Sequence, residues 1–224
     1  MHPLDAIVIQ PEGTISSSII WLHGLGADGH DFVPIVEMLG LPETRFILPH
    51  APIRPVTLNN GYEMRAWYDI VGLTLGSPQD VAGILASQQQ IEQLIAQEIA
   101  NGIPAANIVL AGFSQGGAIA LHTALRYEKR LAGVLALSTY LPLRDKLESE
   151  RSAANQALPI FMAHGSADQV ITPEIAEISA AQLRQAGYAV EWHSYAMAHS
   201  VCDAEIADIQ QFLLGILPFR ISTP

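Results

Sequence analysis

Apolar residues in this chain gather into short runs, separated by longer stretches in which they recur every three or four positions. The runs Ala6–Ile9, Ser18–Leu22, Arg45–Leu48, Ile108–Ala111, Gly133–Leu137, Ile160–Ala163 and Val190–Ser194 read as strands. Their continuous Val/Ile/Leu character fits strands buried on both faces of a sheet. Between them lie helical stretches. In Val81–Ile99, residues Val81, Ile84, Leu85, Ile91, Leu94, Ile95 and Ile99 follow a helical stripe. Thr172-Pro173-Glu174 reads as an N-cap, a proline at the first helical position and an early acid, and Gly187 closes that helix after Ala186. A last helix begins near Asp203 and sets Ile206, Ile209, Leu213 and Ile216 on one face. Strands alternating with helices predict an α/β fold, a mostly parallel central sheet with helices on both faces.

One segment breaks the rhythm. From Pro49 to Pro78 there are four prolines, the turn-forming Asn59-Asn60-Gly61, and then Arg65-Ala66-Trp67-Tyr68-Asp69. Connections of this length are often lids or binding loops, so this one is expected at the entrance of a site. Its apolar part, Ile70 to Leu75, is expected either to close that site or to pair two subunits as a homodimer.

Length and composition narrow the picture. The 224 residues suit one domain with a substantial core, and no repeat or low-complexity linker suggests a second. No apolar run is long enough to cross a bilayer, and the N-terminus lacks the basic start and apolar core of a signal peptide. A lone cysteine, Cys202, forms no internal disulfide and fits a reducing compartment, so a cytoplasmic location is expected. The formal charge of −11 argues against nucleic acid as a partner and disfavours anionic membranes. Neutral small molecules meet no such barrier.

The chemistry enters with Gly112-Phe113-Ser114-Gln115-Gly116, set between an apolar run and a helix-like segment. Gly-x-Ser-x-Gly at a strand-to-helix junction is the pattern of a nucleophile elbow, where small flanking residues let strand and helix approach closely. A serine hydroxyl attacks only when a base takes its proton and a third group orients that base. In such hydrolases the chain order is Ser, then acid, then His. Asp168 lies in a loop at the end of the strand Ile160–Ala163, the position such an acid occupies. Asp145 lies in a polar stretch, and Asp203 and Asp208 read as the cap and solvent face of the last helix. Only His193 and His199 follow Asp168; His193 is inside a strand, whereas His199 sits past it, and is the better base.

The oxyanion hole is expected to join the backbone N–H of Gln115 to one from the loop His23-Gly24-Leu25-Gly26, with Leu25 the favoured donor. The same glycines make only a weak dinucleotide fingerprint. His23 and His164 each precede a glycine at a strand end and are expected to frame the site. Cys202 reads as a small buried hydrophobe. Asp28, His30 and Asp31 lack metal-ligand spacing, and helix capping by the acids is the simpler account. Leu73, Leu75, Val170 and Trp67 are candidates for contacting substrate.

The chain resembles the small α/β-hydrolases of the phospholipase/carboxylesterase family, the group that includes acyl-protein thioesterases, with bacterial carboxylesterases the nearest in pattern. The residues that carry this are Leu22-His23-Gly24-Leu25-Gly26-Ala27-Asp28-Gly29, Pro49-His50-Ala51-Pro52, Arg65-Ala66-Trp67-Tyr68-Asp69, Gly112–Ala118, His164-Gly165-Ser166-Ala167-Asp168 and Met197-Ala198-His199. Ala196 departs from the pattern, standing where proline is expected. The resemblance implies an α/β-hydrolase fold with little or no cap domain and no cofactor or metal. It also implies a triad of Ser114, Asp168 and His199, with oxyanion donors Leu25 and Gln115. The expected activity is hydrolysis of a small-molecule ester of short to medium acyl chain. The alternatives are an acyl-protein thioesterase or lysophospholipase, and, from another class, a non-catalytic binding module on the same fold.

Overall fold

The computed structural model describes residues 4–219. Seven strands form one sheet in the order β1 (Ala6–Ile9), β3 (Thr44–Pro49), β2 (Ser17–Leu22), β6 (Ile108–Phe113), β7 (Gly133–Leu137), β8 (Ile160–Gly165) and β9 (Val190–Tyr195). Every neighbour pair is parallel except β1, which runs antiparallel to β3 from Ala6 opposite Pro49 to Ile9 opposite Phe46. Parallel strands need crossovers, and helices supply them. These are α1 (Val33–Leu39), α2 (Val81–Ala100), α3 (Gln115–Arg126), α4 (Leu147–Glu150) and α5 (Pro173–Gln185), and α6 (Asp203–Ile216) follows the last strand.

The inner strands bury both faces, whereas the edge strands β1 and β9 are only partly covered. In β2, Ile20 and Leu22 enter the core shared with α2, α3 and α5, while Ile19 and Trp21 enter the one shared with α1 and α6. Both sides are covered, so the apolar runs are continuous. In α2 the Asp80 carboxylate accepts the Gly83 N–H at 2.9 Å and caps the helix, and Ile84, Ile91, Leu94 and Ile95 are buried. Val81 and Leu85 lie off that stripe, 36% and 41% exposed, although the periodicity placed them on it. The last helix is capped by Cys202, not Asp203, which falls in its first turn. Gly187 follows α5 with φ +90°, as a helix-ending glycine should.

The segment from 49 to 78 has more structure than its prolines suggest. It contains a hairpin of β4 (Ile53–Val56) and β5 (Tyr62–Arg65), turning through Asn60 and Gly61 at positive φ. Asp69 then accepts the Thr57 N–H at 2.7 Å and its hydroxyl at 2.6 Å, and donates its own N–H to Asp80 at 2.9 Å. The return of the chain is thus tied to the cap of α2. Among the described residues, no helix is long and apolar enough to cross a membrane.

Glu205, in the first turn of α6, is fully buried and neither carboxyl oxygen has a hydrogen-bond partner among the described residues. Burial pushes its pKa up to about 8, against a weaker downward pull from the Cys202 backbone. The folded state therefore holds a proton that the unfolded chain, with an ordinary value of 4.5, releases. The native state binds more protons between these two values, so stability falls as pH rises through that window. Glu205→Gln should remove the penalty, adding about 4 kcal/mol at pH 8 and almost nothing below pH 4.5. Calorimetric melting at the two ends checks it, and parallel Tm curves for the two proteins would refute the assignment.

Candidate active site

The elbow forms where β6 ends and α3 begins. Ser114 sits between them at φ +54° and ψ −121°, a conformation L-residues rarely adopt. The glycines on either side are required by contact. A Cβ on Gly112 would lie 2.4 Å from Gly116 backbone atoms, and one on Gly116 would lie 2.3 Å from the Leu22 carbonyl oxygen. The turn is pinned from β7 and beyond. Ser114 donates its N–H to Leu137 at 2.8 Å and accepts the Thr139 hydroxyl on its carbonyl at 2.6 Å.

Asp168 lies just past β8 and is buried. Its Oδ1 accepts the N–H groups of Val170 at 2.8 Å and Ile171 at 3.0 Å. Its Oδ2 meets His199 Nδ1 at 2.7 Å and His164 Nε2 at 3.3 Å. These donors offset the loss of water around the carboxylate. With Nδ1 donating to Asp168, the hydrogen-bond network assigns the free Nε2 of His199 as the proton acceptor.

The loops carrying the acid and the base are held together. Ser166 N–H donates to Tyr195 at 2.8 Å and Ala167 N–H to Met197 at 3.0 Å. Gly165 packs so closely that a Cβ there would lie 2.3 Å from the Ala198 carbonyl. The His199 ring rests against Phe113, with centroids 4.7 Å apart. Ser114 and His199 line one cleft of about 610 Å³. No Ser114–His199 hydrogen bond forms within 3.5 Å among the described residues, and such contacts in empty sites often tighten only around substrate.

Two backbone N–H groups remain for an oxyanion. Gly26 N–H is committed to Arg65 at 2.9 Å and Ala27 N–H to Gly24 at 3.3 Å. Leu25 N–H and Gln115 N–H have no such acceptor among the described residues, and both residues line the cleft. The loop bearing Leu25 is braced by His23, which is buried. His23 Nε2 accepts the Ala51 N–H at 3.0 Å, and Nδ1 donates to the Gly24 carbonyl at 2.7 Å. Burial lowers its pKa, so it stays neutral and keeps this tautomer. His164 is also buried and held neutral by desolvation, its Nε2 donating to the Ile171 carbonyl at 2.8 Å.

The remaining candidates separate cleanly. Leu73 and Val170 line the cleft. Leu75 lines instead a smaller cavity of about 60 Å³ next to it, so it does not reach the space beside Ser114. Trp67 contacts neither cavity, a correction to its assignment as a substrate residue. Its indole is fully buried, with Nε1 donating to the His23 carbonyl at 2.8 Å. Cys202 stays at the cap of α6, and His193 bonds Glu191 at 2.8 Å and stacks on Phe161, away from the cleft.

Asp28 does cap a turn, accepting the His30 N–H at 2.8 Å. His50 joins these two, and the three offer donor atoms within 4.8 Å of one another, a set that could hold a metal ion. That cluster does not line the cleft, and His50 Nδ1 already accepts the Gly29 N–H at 3.1 Å. Sequence reading missed Phe32, Ile35, Tyr140 and Ile171 in the cleft wall, whereas Ile70 belongs to the apolar loop expected at the entrance. The four come from three separate connections, and Ile171, beside Val170, had a neighbouring signal.

The arrangement brings a strained serine, an oriented imidazole and two uncommitted backbone N–H groups to one cleft. Comparison with known proteins identifies the family. The model of the phospholipase/carboxylesterase family matches residues 4–216. A Neurospora crassa protein named acyl-protein thioesterase 1 is 42% identical over 215 residues, covering 91% of this chain and 88% of its own. A Mycosarcoma maydis protein of the same name is 39% identical, covering 97% and 99%. The crystal structure of Arabidopsis thaliana SOBER1 superposes with a TM-score of 0.87 at 32% identity, covering 91% of this chain and all of that one. The chain is a hydrolase of the phospholipase/carboxylesterase family, with the α/β-hydrolase fold.

Proposed function

We propose that the protein hydrolyses carboxylic esters of short to medium acyl chain through an acyl-enzyme on Ser114. The observation that carries this is the Asp168–His199 hydrogen bond at 2.7 Å, made at the rim of the cleft that exposes Ser114. His199 Nε2 takes the Ser114 proton as Oγ attacks the ester carbonyl, and the N–H groups of Leu25 and Gln115 receive the oxyanion. The C–O bond then breaks and His199 delivers its proton to the departing alkoxide. Water, deprotonated by His199, repeats the attack on the acyl-enzyme and releases the acid. Asp168 holds the imidazole and supports its positive charge. No step requires a cofactor.

The chain-length preference rests on the cavity beyond the cleft. At about 60 Å³, walled by Leu73, Leu75, Tyr140 and Leu141, it admits only a short extension of an acyl chain. A long chain would have to displace the loop from Gly72 to Ser77. A second reading, acyl-protein thioesterase, is favoured by the names of the two fungal relatives. A fluorophosphonate should form a single adduct, mapped by mass spectrometry to Ser114, and no adduct there overturns the serine mechanism. A series of matched esters and thioesters from two to sixteen carbons separates the readings. We expect kcat/KM to be highest at the short end; long-chain thioesters favoured by orders of magnitude would replace the first reading with the second.

A further inference from the structure

The cleft beside Ser114 has two unlike arms. One passes Ile70, Leu73, Tyr140 and Ile171, bears no charged side chain of its own, and adjoins the smaller cavity, whose mixed wall includes Arg144. The other is bounded by Phe32, Ile35, Ser200 and Val201, and it holds Asp31. Ser200 and Val201 directly follow His199, and Phe32 reaches that ring through Phe113, with centroids 6.3 Å and 4.7 Å apart in turn. The imidazolium must hand its proton to the departing oxygen or sulfur, so the leaving atom lies on the His199 side. The acyl group then takes the uncharged arm, and the leaving group crosses the arm that carries Asp31.

Asp31 is the one carboxylate in the cleft besides the groups of the reaction, and no lysine or arginine lines it among the described residues. Its neighbour His30 is already engaged by Asp28 at 2.8 Å, and no cation pairs with Asp31 among the described residues. The turn that presents it is fixed by its own N–H, which donates to the Asp28 carbonyl at 3.2 Å. The chain as a whole carries −11, so the background field has the same sign. Phe32 adds an aromatic surface beside the carboxylate, of the kind that accepts alkylammonium groups.

We propose that this arm selects leaving groups bearing an ammonium charge a short distance beyond the reacting atom, and that Asp31 is the residue that recognises it. Anionic leaving groups meet an unpaired carboxylate with no compensating base and are turned over more slowly. This rests on the esterase reading above.

Three esters of one acyl group test it: the choline ester, its uncharged 3,3-dimethylbutyl isostere, and a 2-sulfoethyl ester. With the native protein at low salt, kcat/KM should be about threefold to tenfold higher for choline than for the isostere, and lower by a similar factor for the sulfonate. Both ratios should approach 1 in Asp31→Asn, and their order should invert in Asp31→Lys. Both should also shrink as salt rises, since an exposed pair is screened. Equal rates for all three esters, or ratios unmoved in Asp31→Asn, overturn the proposal. Failure to hydrolyse any of the three, with no Ser114 adduct, overturns the esterase reading instead.

Discussion

Replacing Ser114 with alanine should lower kcat for ester hydrolysis by about 10⁴- to 10⁶-fold, the scale of losing a nucleophile that works as part of a triad. The other side chains of the cleft are apolar apart from Asp31, Gln115, Tyr140, His199 and Ser200, and neither the Tyr140 nor the Ser200 hydroxyl stands in the elbow between β6 and α3. Cys202, the nearest thiol in sequence, stays at the cap of α6. Alanine keeps the Cβ and hence the strain of the φ +54° turn, so the variant should unfold within about 1 kcal/mol of the native protein. Steady-state kinetics on a purified, folded sample reads the result. Activity within tenfold of native would place the nucleophile elsewhere.

The second large effect is expected from Asp168→Asn, about 10⁴-fold in kcat, as when the same change is made in another serine hydrolase. The geometry around this residue gives a specific reason. Two backbone N–H groups, from Val170 and Ile171, point at Oδ1, so an asparagine there must keep its carbonyl oxygen on that side. Its NH₂ then faces His199 Nδ1, which would have to become an acceptor and move its proton to Nε2. That imidazole cannot take the serine proton. Rotating the amide would relieve His199 only by setting the NH₂ against two other N–H donors, so no low-energy flip restores the base. Nitrogen NMR of the imidazole should report the switched tautomer alongside the kinetic loss. A variant within tenfold of native, or one with an unchanged tautomer, would refute this role for Asp168.

What could be read from the chain divides along physical lines. The strands of the central sheet were legible because both faces are buried, as at Ile19 to Leu22, and an unbroken apolar run survives in the sequence. The hairpin of β4 and β5 was not, since Ile53 and Tyr62 are 65% and 71% exposed and Pro55 interrupts the run. Helix α1 escaped for a related reason: it is seven residues long, starts Val33-Pro34, and buries only Val36 and Leu39. Asp168 and His199 could be picked out because chain order and strand ends constrain where an acid and a base can stand. The wall of the cleft had no such rule. Phe32, Ile70 and Tyr140 converge only through tertiary packing, and the aromatic Trp67, which looked like a contact, is consumed by structural hydrogen bonds.

Gln115 has a consequence for motion. The residue lines the cleft, while its buried side chain accepts the Trp67 N–H at 2.9 Å and donates to the Tyr68 carbonyl at 2.7 Å. Pulling the Trp67–Tyr68 stretch away would strand four buried polar groups, at about 1–3 kcal/mol for each one left unsatisfied. The Trp67–Tyr68 stretch and the first residue of α3 are thus thermodynamically coupled. The stretch cannot swing as an independent gate without disturbing the turn that holds Ser114. Any opening that admits substrate must hinge further out, toward Gly72 and Gly76, where the chain is free of that clasp.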